Sequence, residues 1–196
     1  MKKGIKIGLC LILAVIMILS GLYLMGYKGI TLEGVVDYQG LFDTYFRVDK
    51  KYIDIVYTYD YINPNTENKF QLIVGEYENN YAVTIIKELQ HDRYEQYLSP
   101  SHLQQGDTAT QIHDKKENIA YYVLVNNHIN QSDNTFYIQI NPYSVMDNSL
   151  IYECYIKAGQ KVCVQVIDDE SGIEWINAFD YNGADIVEGS EIIYID

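Results

Sequence analysis

Cysteine, proline, tryptophan and basic residues are all scarce in this chain of 196 residues. It has 3 prolines, which excludes a proline-rich stalk as the main body of the protein. With 14 basic against 27 acidic residues, its formal net charge is −13, so phosphate backbones and anionic lipid surfaces would be repelled. We therefore expect no nucleic-acid partner.

The 3 cysteines favour free thiols over a disulfide framework. Cys10 lies in an apolar run, whereas Cys154 and Cys163 flank a turn around Gly159. If the two flanking strands form a hairpin, matching their apolar faces pairs Cys154 with Val164 and turns Cys163 to the opposite face of the sheet. We predict no disulfide.

Recognisable catalytic motifs are also lacking: the sequence has no nucleophile elbow, no phosphate-binding glycine loop and no HExxH motif. Three of the 4 histidines are spaced by eleven residues, but Pro100 and Gly106 interrupt any helix that would align them. His91 and Glu95 could share a helix face, yet two ligands alone are weak evidence for a metal. We assign no catalytic residue and expect no cofactor.

The most prominent feature that is present is an uncharged, apolar run from Ile7 to Met25. At ~1.5 Å per residue it spans about 28 Å, close to the ~30 Å hydrocarbon thickness of a bilayer. Lysines precede the run, so the positive-inside rule predicts a cytoplasmic tail at 1–6, a transmembrane anchor at 7–27 and an extracytoplasmic part from residue 29 to 196, held at the cell membrane. The alternative is a signal peptide cleaved between residues 20 and 29, but no A-x-A pattern supports it.

Beyond the anchor, 20 tyrosines and many β-branched residues favour strands over helices. All 27 acidic residues lie in residues 29–196 together with 10 of the 14 basic ones, so this part has a formal charge of 10 − 27 = −17. Period-two alternation predicts strands at 42–48 and 53–61, followed by a turn at 63–65 and an antiparallel partner at 70–74.

Three- and four-residue spacing over 83–98 predicts one helix, ended by Ser99-Pro100. Residues 83–86 alone could equally extend a strand from Tyr81. Residues 99–118 are polar and read as a loop or linker. The chain would then consist of a membrane-proximal β-rich subdomain at 28–98 and a C-terminal subdomain at 119–196, and the sequence leaves open whether the two share one core.

The C-terminal part reads as short strands separated by turns. We predict them at 119–125, 135–140, 150–157, 161–167, 174–180, 185–188 and 191–195. Asn182-Gly183 fits a type I′ hairpin that pairs Phe179 with Ile186. The expected fold class is mainly β: an N-terminal transmembrane helix followed by an extracytoplasmic, antiparallel β-sandwich-like domain.

Two groups of side chains are candidate sites. Aromatic residues that could stack on sugars or peptides are Trp175, Tyr137, Tyr155 and Tyr45. Oxygen ligands around two glycine turns could bind calcium, although neither turn has the full EF-hand spacing. They are Asp168, Glu170, Asp180, Asn182 and Asp185.

These observations favour a bacterial-type, membrane-anchored binding or interaction module of the cell envelope that catalyses nothing. Its partner would be an envelope protein or a glycan. Two alternatives remain: a small hydrolase that uses two carboxylates, and a structural subunit of a membrane assembly.

Overall fold

The computed structural model describes residues 36–89, 93–106, 109–125, 134–142, 150–156, 159–168, 173–180, 185–188 and 190–195. Among these residues, no helix is long and apolar enough to cross a bilayer. The predicted tail at 1–6 and anchor at 7–27 lie outside the described residues.

The described part of the chain forms three four-stranded sheets, which confirms the mainly β fold. Sheet A contains β1 (Asp54–Ile62), β2 (Lys69–Tyr77), β3 (Asn80–Leu89) and β4 (Arg93–Leu103). Sheet B contains β5 (Ala109–Asp114), β6 (Ile119–Val125), β9 (Val162–Asp168) and β12 (Ser190–Ile195). Sheet C contains β7 (Asn134–Pro142), β8 (Leu150–Ile156), β10 (Ile173–Asp180) and β11 (Asp185–Glu188).

Sheets A and C are antiparallel, but sheet B is mixed because β12 pairs with β5 in parallel. The expectation of a purely antiparallel arrangement is therefore wrong. A parallel pair needs a long crossover, and the chain supplies one because β6 to β11 all lie between β5 and β12.

Sheets A and B pack face to face around one apolar core. Residues before 99 and residues after 118 both contribute to it, so the two predicted subdomains share this core. Fully or nearly fully buried members include Leu72, Val74, Val83 and Ile85 from sheet A, and Ile112, Tyr121, Val123, Val164 and Ile195 from sheet B.

The other face of sheet A is covered by residues 36–53, which we call the strap. It comprises a 3₁₀ turn at Gln39–Leu41, a short helix α1 (Asp43–Phe46) and a second 3₁₀ turn at Lys50–Tyr52. The strand predicted at 42–48 is thus wrong. Phe42 and Phe46 are four residues apart, a helical spacing that lets both contact the sheet, and Arg47 ends the helix with φ 59°.

The helix predicted over 83–98 is also wrong, because these residues form the β3–β4 hairpin. Both faces of β3 are buried: Val83 and Ile85 face sheet B, while Ala82 and Ile86 face the strap. A strand buried on both faces loses its period of two, and the resulting apolar run imitates a helical stripe.

Residues 99–118 are not the predicted loop or linker, since β4 continues to Leu103 and β5 is buried along its whole length. Pro100 fits because β4 is an edge strand and skips pairing at this point. Thr84 Oγ1 donates to the Leu98 carbonyl, 2.6 Å away, where the register shifts. Strand β5 can bury polar side chains such as His113 and Asp114 because they have hydrogen-bond partners inside the protein.

Two further pairings differ from expectation. Among the described strands, β8 pairs with β7 and β9 pairs with β6, so the predicted hairpin around Gly159 does not form. Cys163 is buried in β9 and is not part of a disulfide. β10 and β11 do form an antiparallel pair, but a register shift sets Phe179 opposite Asp185 instead of Ile186.

Candidate functional site

An open groove of about 400 Å³ lies on the outer face of sheet A, beside the strap. We call it the outer groove. Its volume is within the ~300–1,000 Å³ typical of small-molecule sites. Its lining residues are Tyr38, Asp60, Tyr61, Ile62, Lys69, Phe70, Gln71, Glu88 and Tyr94.

Strand pairing brings the groove residues together from distant parts of the chain. One row across the sheet runs from Ile62 through Lys69 and Glu88 to Tyr94. Ile62 is paired with Lys69 and Glu88 with Tyr94, and an ion pair joins Lys69 to Glu88. The neighbouring row pairs Asp60 with Gln71. Tyr38 of the strap is also among the lining residues, so the strap contributes to the groove.

The polar groups of the groove form two pairs. Gln71 Nε2 donates to Asp60 Oδ1 at 2.6 Å, and Lys69 Nζ lies 3.2 Å from Glu88 Oε1. These exposed contacts pair the side chains with each other while leaving oxygen atoms at the groove surface. The arrangement suits recognition of a ligand that donates hydrogen bonds.

A second polar group, which we call the Glu117 cluster, lies at one end of the A–B core. Glu117 is 6% exposed, and its carboxylate accepts hydrogen bonds from Thr66 (2.6 Å), Asn68 (2.7 Å), Lys87 (3.1 Å) and Asn63 (3.1 Å). The cluster joins the β1–β2 turn and β3 of sheet A to the β5–β6 turn of sheet B. Its satisfied bonds give it a structural role.

Charge and burial act in opposite ways on the two carboxyl groups of this region. Burial would raise the pKa of Glu117, but hydrogen bonds from Thr66 and Lys87, with the Lys87 charge, outweigh it and lower that pKa. Burial raises the pKa of Asp114 despite hydrogen bonds from Tyr97 and two backbone amides. Asp114 Oδ2 accepts no hydrogen bond in the described part of the chain.

Asp114 should therefore make stability depend on pH. Because its pKa is raised in the folded state, its contribution to stability is greatest at low pH and falls as the pH rises from about 4 through the folded pKa. We expect the unfolding free energy of the natural protein, relative to Asp114→Asn, to decrease between pH 4 and pH 7. Urea titrations at both pH values measure this difference.

The control is Asp54→Asn, which changes an exposed carboxylate at the start of β1. For this variant, the difference in unfolding free energy from the natural protein should be the same at pH 4 and pH 7. A difference for Asp114→Asn that is equally independent of pH would contradict the prediction.

Of the four aromatic residues proposed from the sequence, Tyr45 is not among the lining residues of the outer groove. Tyr45 is 38% exposed in α1, with its ring edge against Phe46. Tyr137, Tyr155 and Trp175 lie in sheet C, on β7, β8 and β10.

The residues predicted to bind calcium are divided between sheets. Asp168 ends β9 of sheet B, whereas Asp180 ends β10 and Asp185 begins β11 of sheet C. Glu170 and Asn182 lie outside the described residues. Within the described part, no group of three or more His, Cys, Asp or Glu side chains is placed to hold a metal.

His91 and Glu95 were considered as two metal ligands on one face of a helix. That helix does not form, because Glu95 lies in strand β4. His113, considered from its spacing, is buried in β5, where its Nε2 lies 2.9 Å from Gln111 Oε1. This pairing explains why β5 tolerates both polar side chains.

Sequence reasoning missed every residue of the outer groove. The usable signal was weak: Lys69 and Gln71 alternate with the buried Phe70 and Leu72 in β2, so they had to share an outer face. Glu88 and Tyr94 were hidden by the helix assignment. Glu88 lies in β3 beside β2, and Tyr94 of β4 is paired with Glu88. This arrangement depends on strand register, which local periodicity does not determine.

Comparison with known proteins gives no further guide, since no family model, no curated protein and no solved structure matches this chain.

Proposed function

We propose that this protein is a single-pass, membrane-anchored binding module of the cell envelope, with an extracytoplasmic β-sandwich domain that catalyses nothing. The outer groove is its binding site. The observation that carries the proposal is the outer groove itself: a cavity of about 400 Å³ that combines tyrosine rings with hydrogen-bonding side chains held by their neighbours. The apolar run at 7–25 supports the placement at the membrane.

The groove also contains two carboxylates, Asp60 and Glu88, as the hydrolase alternative requires. They lie two strands and two positions apart, which sets their Cα atoms roughly 12 Å from each other at ~4.8 Å per strand and ~3.4 Å per residue. Each carboxylate is engaged by a different neighbour, Gln71 or Lys69. These separate pairings favour binding over the paired acid and nucleophile of a glycosidase.

Affinity capture of the full chain from detergent-solubilised membranes tests the proposal. We expect an envelope component to co-purify with the natural protein, and at least tenfold less of it with the double variant Asp60→Asn and Gln71→Leu, which removes groove oxygens without touching the core. Asp54→Asn is the matched control and should capture as much as the natural protein.

Equal capture by the double variant, with its circular dichroism unchanged, would contradict the groove as the binding site. A tag after Asp196 that is reachable only from the cytosol would contradict the extracytoplasmic placement.

A further inference from the structure

The outer groove presents more hydrogen-bond acceptors than donors. Gln71 gives its amide N–H to Asp60, and the Lys69 ammonium is directed at Glu88. This hydrogen bond uses the Gln71 amide nitrogen and Asp60 Oδ1, which leaves Asp60 Oδ2 and the Gln71 amide oxygen available to a ligand. A ligand for these oxygens must bring N–H or O–H groups of its own.

The formal charge of the outer groove restricts the class of ligand further. One lysine and two carboxylates line the groove, giving it a formal charge of −1, and the whole chain carries −13. Phosphorylated or carboxylated ligands would be repelled, whereas a cation would be attracted and concentrated at the surface.

The position of the groove argues against an extended peptide as ligand. It lies on the face of sheet A, where the backbone groups of β2 and β3 are already paired with neighbouring strands, and the edge strands β1 and β4 contribute Asp60, Tyr61, Ile62 and Tyr94 to the same face. A peptide gains much of its affinity from backbone pairing at a free sheet edge. Recognition on this face must instead come from side chains.

Two tyrosines complete the site. Tyr38 from the strap and Tyr94 from β4 are both partly buried where they pack against the strap-side core, and both line the groove. Their rings supply apolar surface and an attractive partner for a positive charge. Rings beside fixed oxygen acceptors suit a compact, hydroxyl-bearing ring ligand.

We infer that the outer groove binds a saccharide that carries a free, protonated amino group. The hydroxyls and the ammonium group of such a sugar donate hydrogen bonds to Asp60 Oδ2, the Gln71 amide oxygen and Glu88, and the sugar ring rests against Tyr38 and Tyr94. The inference rests on the proposed function, because it names the ligand class of the same groove.

Calorimetric titration of the full chain in detergent at pH 6 tests the inference. The probes are a glucosamine tetramer, its fully N-acetylated counterpart and a lysine tetrapeptide. We expect the glucosamine tetramer to bind at least tenfold more tightly than either other probe, because acetylation removes the charge and the peptide lacks the ring. Asp60→Asn should weaken its binding at least tenfold, and Asp54→Asn should leave it unchanged.

Three results would overturn the inference: equal affinity for the acetylated tetramer, tighter binding of the lysine peptide, or no binding of the glucosamine tetramer. If membrane capture still depends on Asp60 and Gln71 in that case, the proposed binding module stands and only the ligand class is wrong. If capture is also independent of these residues, the proposed function fails as well.

Discussion

Replacing Glu117 with alanine is expected to lower the free energy of unfolding by about 3–5 kcal/mol, the usual cost of breaking a buried ion pair. The Lys87 ammonium is 19% exposed and would lose its carboxylate partner. Asn68 and Thr66 would lose the same acceptor. Urea denaturation followed by circular dichroism at pH 7 measures the loss.

The loss should shrink in acid. Because the pKa of Glu117 is lowered in the folded state, its stabilisation is present above about pH 4.3 and disappears as the pH falls through the folded pKa. Lys51→Ala is the control, since Lys51 pairs with Asp49 on the surface, where both side chains are more than half exposed. It should cost less than about 1 kcal/mol. A Glu117→Ala loss no larger than this would refute the assigned role.

Replacing Phe42 with alanine is expected to cost about 3–5 kcal/mol, because its ring is fully buried between the strap and sheet A. The strap should then detach more readily, and proteolysis at Lys50 and Lys51 should accelerate. Limited trypsin digestion and urea denaturation measure the two effects. Tyr45→Ala, at the exposed side of α1, should cost about 0.5 kcal/mol.

Gly75 provides a specific test of this contact. A Cβ atom at Gly75 would lie 2.9 Å from Phe42 Cδ2, so Gly75→Ala should destabilise the natural protein. In the Phe42→Ala background the ring is gone, and the same change should cost little. Equal costs in the two backgrounds would show that the ring does not pack on Gly75.

Local patterns located most of the strands. β1, β6 and β11 were predicted within one residue at each end, because a strand with distinct faces, or one bounded by turn residues, carries its signal within a few positions. The observed β1 nevertheless differs from the predicted regular strand in one detail. A register shift between Ile55 and Tyr57 turns Ile55 towards the strap, while Tyr57 packs against the core with sheet B.

The errors share one physical cause, which is burial by distant partners. β3 lost its alternation because the strap covers its second face. β5 looked like a loop because its Asp114 and His113 find partners only in the folded protein: the Tyr97 hydroxyl lies 3.0 Å from Asp114, and Gln111 lies 2.9 Å from His113. In the strap, the alternating residues at 42–48 predicted a strand. The helical turn forms there because Phe42 and Phe46, four residues apart, both pack on sheet A, and that packing is absent from the local sequence.

By itself the sequence determined that the chain is mainly β, where most strands begin and end, and that it is acidic with an apolar N-terminal run. Those features are local or additive, since a strand's period and a chain's charge need no partner. Only the tertiary structure decided that β12 joins β5 in parallel, that β8 and β9 enter different sheets, and that Asp60, Gln71 and Glu88 share one groove. Strand pairing depends on burial and register between segments far apart in the chain, and no window of neighbouring residues contains that information.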